Sequence, residues 1–168
     1  MGNFKEVVEK GLGAVVILAG SGSDKPHIEK IAASLQRYTI PFEVRINSAH
    51  KQPERLLEIL ADYDAMKGPL AYVAVAGGTD ALSGTTSYLS PRPTISCPPD
   101  APNNSCLTNP PGSSNAYIPN PSNVGRFIAQ MFSHLNPAYA QLLQDERASK
   151  SAGLRADDAK LREEFGAK

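Results

Sequence analysis

Four short apolar runs punctuate the first hundred positions: AVVILAG (14–20), FEVRINS (42–48), LAYVAVAGG (70–78) and PTISCP (93–98). A strand with apolar side chains on both faces needs cover on both faces. Helical periods lie between the runs and supply that cover. In DKPHIEKIAASLQRY, Ile28, Ile31, Ala32 and Leu35 share one face, Asp24 stands at the N-cap position and Pro26 falls in the first turn. In PERLLEILADYDAM, Pro53 opens a helix whose inward face is Leu56, Leu57, Leu60 and Tyr63. Strand–helix alternation of this kind predicts a parallel sheet between two helical layers, joined by right-handed crossovers.

The texture changes at 97–123, CPPDAPNNSCLTNPPGSSNAYIPNPSN, where only AYI (116–118) reads as a strand. A loop this long in a compact domain is either functional or disordered. Beyond it, NVGRFIAQMFSHL reads as a helix with Val124, Phe127, Ile128 and Met131 inward. Residues 137–168 are helical too, with an interruption expected at SKSAG (149–153). Their stripe of Leu154, Leu161 and Phe165 has no place in a closed three-layer domain, so it is expected to pack on a neighbouring subunit, the alternative being a frayed end. The chain of 168 residues fits one domain. It divides into an N-terminal segment (1–13), an α/β domain (14–135) and a helical tail (136–168).

Charge narrows the function classes. The 17 basic and 17 acidic residues cancel, which argues against a broad nucleic-acid or membrane footprint. Cys97 and Cys106 lack metal-ligand spacing and read as reduced thiols, with a disulfide as the minority alternative. No apolar signal core opens the chain, Glu6 stands where a myristoylation motif carries Ser or Thr, and no run reaches the length of a membrane span. The expectation is a cytoplasmic protein.

The first three apolar runs end in motifs suited to a ligand. After the first comes AGSGSDKP, where Gly20 lets a backbone approach. Ser21 and Ser23 offer hydroxyls there, Asp24 can take ribose hydroxyls, and a helix N-terminus offers free N–H groups. It is not a Walker loop. A tight capped turn explains it equally well. After the second come Ser48, Ala49, His50 and Lys51, at the strand end where open α/β sheets bind ligands. An ammonium there can hold phosphate, and an imidazole can pass a proton. After the third, Gly77 and Gly78 imply a close backbone approach or close helix packing. Three such turns make one crevice the simplest account. Cys97 reads as a small buried thiol rather than a nucleophile, and His27 and His134 as surface residues.

The motifs GSGSD, SAHK, AGG…LSG and ISCPP, in this order, resemble the aminoimidazole ribonucleotide carboxylases of purine biosynthesis over roughly residues 14–135. SAHK and ISCPP resemble the second class of that family, which uses carbon dioxide directly. The resemblance implies a three-layer flavodoxin-like α/β sandwich with a parallel sheet and an extended helical C-terminal tail. It also implies an octamer with C-terminal helices crossing between subunits, and chemistry without metal or organic cofactor. Partners would be a ribonucleotide and carbon dioxide or bicarbonate.

By the same resemblance His50 is the general acid/base at imidazole carbon 4. Gly20, Ser21, Ser23, Asp24, Ser48, Ala49, Lys51, Gly77, Gly78, Thr79, Asp80 and Leu82 are the substrate-binding residues. The carboxylate side departs from the second-class pattern. Ala76-Gly77-Gly78-Thr79-Asp80 stands where Ala-Gly-Arg-Ser-Asn is usual, and Thr108 stands where the later segment carries Arg. An Asp80 facing the pocket would repel a product carboxylate by about 4 kcal/mol at 4 Å and an effective dielectric of 20. The other role open to Asp80 is to cap the next helix. A divergent paralogue acting on another ribonucleotide or related heterocycle, and a non-catalytic nucleotide-binding homologue, are the alternative functions.

Overall fold

The computed structural model describes residues 2–166. A short helix, α1 (Gly2–Glu9), precedes β1 (Ala14–Ala19), α2 (Lys25–Arg37), β2 (Phe42–Ile46), α3 (Pro53–Asp64), β3 (Leu70–Val75), α4 (Leu82–Leu89) and β4 (Thr94–Ser96). The chain ends with β5 (Ala116–Tyr117), α5 (Val124–Phe132) and α6 (Pro137–Phe165). All five strands are parallel, in the order β2-β1-β3-β4-β5. This is the parallel sheet that the alternation of runs predicts, in the flavodoxin-like order that the family resemblance implies.

Every residue of β1 and β3 is buried. Their side chains alternate between two cores, as a pleated strand requires. Val15, Ile17, Val73 and Val75 pack under α2, α5 and the start of α6, through Ile31, Leu35, Ile128 and Tyr139. Val16, Leu18, Tyr72 and Ala74 pack under α1, α3 and α4, through Phe4, Val8, Leu56, Ile59 and Leu82. Phe4 and Val8, one helical turn apart, bind the N-terminal segment to the second core.

Two details correct the expected faces. In α3 it is Ile59, not Leu57, that joins Leu56, Leu60 and Tyr63 inside; Leu57 is half exposed. The set 56, 59, 60, 63 follows the 3.6-residue period more closely. In α2, Ser34 replaces Ala32 among the fully buried residues. Its hydroxyl donates to Ser122 O (2.9 Å) and accepts from Gly125 N (2.8 Å), so the polar group is satisfied where α2 meets α5.

The long loop is ordered by its own polar side chains. Asn115 donates to Ser96 Oγ (3.0 Å) and to Cys106 O (3.2 Å), and it also bonds Asn109. Asn109 fits against Gly84 of α4, where a β-carbon would stand 2.5 Å from its Oδ1. Both cysteines are free and buried.

The interruption expected at SKSAG (149–153) does not occur, and α6 runs unbroken from Pro137 to Phe165. A mid-helix glycine costs about 1 kcal/mol relative to alanine. The ion pair between Lys150 and Glu146 (2.7 Å) spans the approach to Gly153. The helix begins on the body, with Tyr139 buried and Leu142 and Leu143 packed on the first core. From residue 151 onward it is exposed, and Leu154, Leu161 and Phe165 are 71%, 52% and 76% accessible.

Glu146 fastens that helix down. It accepts from Tyr38 and from Arg126 (2.6 Å), with Lys150 at 2.7 Å and Arg37 at 3.7 Å. Hydrogen bonds from Lys150 and Tyr38 pull its carboxyl down to about 2. A depressed carboxyl stabilises the fold above its unfolded pKa, and that contribution fades as pH falls through the folded value. Glu146→Gln should therefore lower unfolding free energy by about 1–2 kcal/mol at neutral pH, after allowance for solvent screening. The gap between variant and wild type should close as pH approaches 2, which urea titrations at a series of pH values would measure.

Candidate active site

The strand order reverses at β1 and β3. The chain leaves β1 toward α2 on one face of the sheet and leaves β3 toward α4 on the other. Two loops that part in this way leave a crevice between them, at the carboxyl ends of the strands. A cavity of about 300 Å³ occupies that position.

Its first wall is the β1–α2 turn. Gly20 N donates to Val75 O (2.8 Å), so the turn starts in register with β3. Ser21 Oγ accepts from Ser23 N (3.2 Å) and Ser23 Oγ (2.8 Å), which folds Gly22–Asp24 into one 3₁₀ turn before α2. Asp24 sits at the N-cap position of α2 but makes no capping hydrogen bond; it lines the cavity instead. The second wall is the turn after β2. Asn47 N bonds Ala19 O (2.8 Å), and Gln52 N closes on Ser48 O (2.8 Å), which leaves His50 exposed at the apex of the turn. The third wall is the β3–α4 turn, where Gly78 takes the left-handed φ of +66° that a β-carbon disfavours.

Gly20, Ser21, Ser23, Asp24, Ser48, Ala49, His50, Gly77, Thr79 and Leu82 all line this one cavity. Lys51, Gly78 and Asp80 do not. Lys51 is exposed beside His50, and Gly78 turns its backbone toward the loop after β4. Ala76 and Ala81 complete the lining and were not singled out from the sequence. Their only signal is position, next to Gly77 and Leu82, since a methyl group carries no chemistry to notice. Among the described residues, no group of three or more His, Cys, Asp or Glu side chains is placed to hold a metal ion. No helix among them is long and apolar enough to cross a membrane.

His27 differs from its expected surface role. Its Nε2 lies 3.0 Å from Cys97 O and 3.4 Å from Cys97 Sγ, and the ring is half-buried. Burial lowers its pKa, partly offset by the bond to the Cys97 carbonyl. Cys97 itself is pushed up to about 12 by burial, so it is a thiol and no nucleophile. The pair ties the first turn of α2 to the end of β4. His134 is exposed, as expected.

A family profile described as AIR carboxylase matches residues 14–152. The chain belongs to the AIR carboxylase family. A phosphoribosylaminoimidazole carboxylase of Treponema denticola is 35% identical over 154 residues, covering 88% of this chain and 97% of that protein. The bifunctional phosphoribosylaminoimidazole carboxylase/phosphoribosylaminoimidazole succinocarboxamide synthetase of Homo sapiens is 36% identical over 159 residues, covering 89% of this chain and 36% of that longer protein. The crystal structure of Treponema denticola PurE superposes with a TM-score of 0.84 at 35% identity, covering 89% of this chain and 99% of that one.

Within this AIR carboxylase fold, Asp80 takes the capping role. Its Oδ1 accepts from Ser83 N (3.0 Å) and its Oδ2 from Ser83 Oγ (2.7 Å), with Ser96 Oγ at 3.4 Å. The carboxyl group is buried and is not part of the cavity lining. Asp80→Ala should cost about 1–2 kcal/mol, the loss of a cap and of a buried acceptor. Asp80→Asn, which keeps an oxygen for Ser83 N, should cost less than about half of that. Urea denaturation of the two variants checks the order.

Proposed function

We propose that this chain is a phosphoribosylaminoimidazole carboxylase of purine biosynthesis. It forms and breaks the bond between carbon 4 of 5-aminoimidazole ribonucleotide and carbon dioxide. The reading is carried by one observation: in a member of the AIR carboxylase family, residues from three strand ends converge on one cavity with His50 at its rim. Ser21, Ser23 and the N-terminus of α2 offer hydroxyl and N–H donors to phosphate. Asp24 offers acceptors to ribose hydroxyls, and Ser48 and Lys51 close on the phosphate from the other side.

The chemistry then needs one proton carrier. Electron density from the amino-substituted ring drives carbon 4 onto carbon dioxide, and a carbon–carbon bond forms. His50 removes the proton that carbon 4 still carries, which restores the aromatic ring. In reverse, His50 protonates carbon 4, the carbon–carbon bond breaks and its electron pair returns to the ring. Orientation and exclusion of water supply the rest. The cavity walls Ala49, Ala76, Ala81 and Leu82 are apolar and suit a small uncharged gas. Purine biosynthesis and two free buried thiols fit a cytoplasmic setting.

The same reading includes an assembly. The chain exposes 9399 Å², against about 8,000 Å² for a compact monomer of its 17.9 kDa mass. The far half of α6, with its bare Leu154, Leu161 and Phe165, is exposed along its length and adds to that area. An octamer in which each tail packs on a neighbouring subunit accounts for it.

His50→Asn should lower kcat by about 10²- to 10⁴-fold with KM changed less than about tenfold. Lys51→Ala should act mainly on KM. An absorbance assay of carboxylation and decarboxylation tests both, and an Asn variant with more than half the wild-type rate would remove His50 from the mechanism. Light scattering should give a closed oligomer for the full chain and a smaller or less stable one after deletion of residues 149–168. A full-length monomer would contradict the assembly.

A further inference from the structure

The β3–α4 turn contributes Gly77 and Thr79 to the cavity, and the hydrogen bonds that hold it fall on the residue between them, Gly78. The hold comes from the loop after β4. Asp100 Oδ2 accepts the Gly78 N–H (2.7 Å), and Asn103 Nδ2 donates to the Gly78 carbonyl (2.9 Å). The two are joined to each other, since Asn103 Nδ2 also reaches Asp100 Oδ1 (3.0 Å). Asn103 is nearly fully buried, and its Oδ1 accepts from Ser105 N (3.0 Å) and from Ser105 Oγ (2.5 Å). Ser105 Oγ in turn accepts the Asp80 N–H (2.8 Å). Both polar groups of one peptide-flanking glycine, and the amide two residues on, are thus gripped by three side chains of a single loop.

The grip acts where the backbone is least determined by itself. Gly78 is the residue in the left-handed region, and as a glycine it has many alternative conformations of similar energy. Left alone, the turn would sample several of them. The carboxylate of Asp100 removes that freedom, and it is well suited to do so. The Gly78 N–H, followed by Asn103, holds its carboxyl below the usual carboxylate range, so it is charged throughout the neutral region and its bond to the amide is charge-assisted. The carboxylate also lies 3.4 Å from the point where a β-carbon on Gly77 would stand, so it backs the residue that faces the substrate.

We propose that Asp100 and Asn103 are positioning residues for the carboxylase reaction: by clamping Gly78 they fix Gly77 and Thr79 as the wall opposite His50. The proposal rests on the functional reading above. Neither side chain lines the cavity or touches the reacting atoms. They set the shape into which the substrate binds, so their loss falls mainly on KM, whereas loss of His50 falls on kcat.

The test uses the full-length chain and decarboxylation of carboxylated aminoimidazole ribonucleotide. Asp100 is exposed, so Asp100→Ala leaves the core intact. It should lower kcat/KM at least about tenfold, mostly through KM, because displacement of a binding wall by a fraction of an ångström to an ångström has effects of that order or more. Asp100→Asn keeps an acceptor for Gly78 N but turns a donor toward Asn103, and should fall between Asp100→Ala and wild type. Hydrogen exchange of the Gly78 amide should accelerate at least about tenfold in Asp100→Ala. Asn115→Ala serves as the control, since it loosens the same loop through Ser96 and Cys106 without touching Gly78, and should stay within about threefold of wild type in kcat/KM.

Unchanged kcat/KM in Asp100→Ala overturns the proposal, as does an equal loss in Asn115→Ala or an unaltered Gly78 amide. A wild-type chain with no turnover overturns the functional reading and this proposal together. Turnover by wild type with an indifferent Asp100→Ala overturns this proposal alone.

Discussion

Complete burial of two adjacent parallel strands is the constraint on which this molecule depends. β1 and β3 have no exposed residue, so each must send alternate side chains into a separate core. Helices on both faces follow, and so does the crossing of the chain from one face to the other. Polar groups have no place along such strands and gather where the strands end. The β1–β3 crevice is therefore the point at which a backbone released from the sheet meets water, helix N-termini and small side chains at once. Polar and titratable side chains gather there because the interior excludes them nearby.

Much of this was legible in the sequence, for a physical reason. Apolar runs with glycine or serine at their ends announce both the strand and its exit, and three such exits supply the cavity lining. What was illegible was local choice among near-equal options. Leu57 and Ile59 are both apolar, and a small rotation of the helix about its axis decides which is buried. Gly153 looked like a break, but a single glycine is a small penalty against a helix held by several turns on either side. His27 looked like a surface residue because its partner, the Cys97 carbonyl, is a backbone atom seventy residues away and leaves no trace in composition.

In the loop after β4 the sequence left two readings open, function or disorder. Its Pro- and Asn-rich composition is that of disorder, and amides in a sequence carry no sign of their partners. In the fold, Asn103, Asn109 and Asn115 each offer a donor and an acceptor at a fixed angle, and together they replace the backbone ladder that the loop lacks. Asp80 shows the converse. One carboxyl in one motif reads equally as a pocket charge or as a helix cap, and only the direction of the side chain separates the two.

The two ends of α2 carry one further meaning. His27 ties its first turn to the Cys97 carbonyl, and Tyr38, just past its last turn, ties to Glu146 of α6. A rod of about 20 Å pinned at both ends cannot slide along its axis. The Ser21–Asp24 edge of the cavity is therefore a fixed jaw, anchored at the far end by the helix that carries the tail. The short turn of Ser48 to Lys51 supplies another edge of the cavity through Ser48, Ala49 and His50. That turn is closed by its own backbone bonds and bears His50 at its tip.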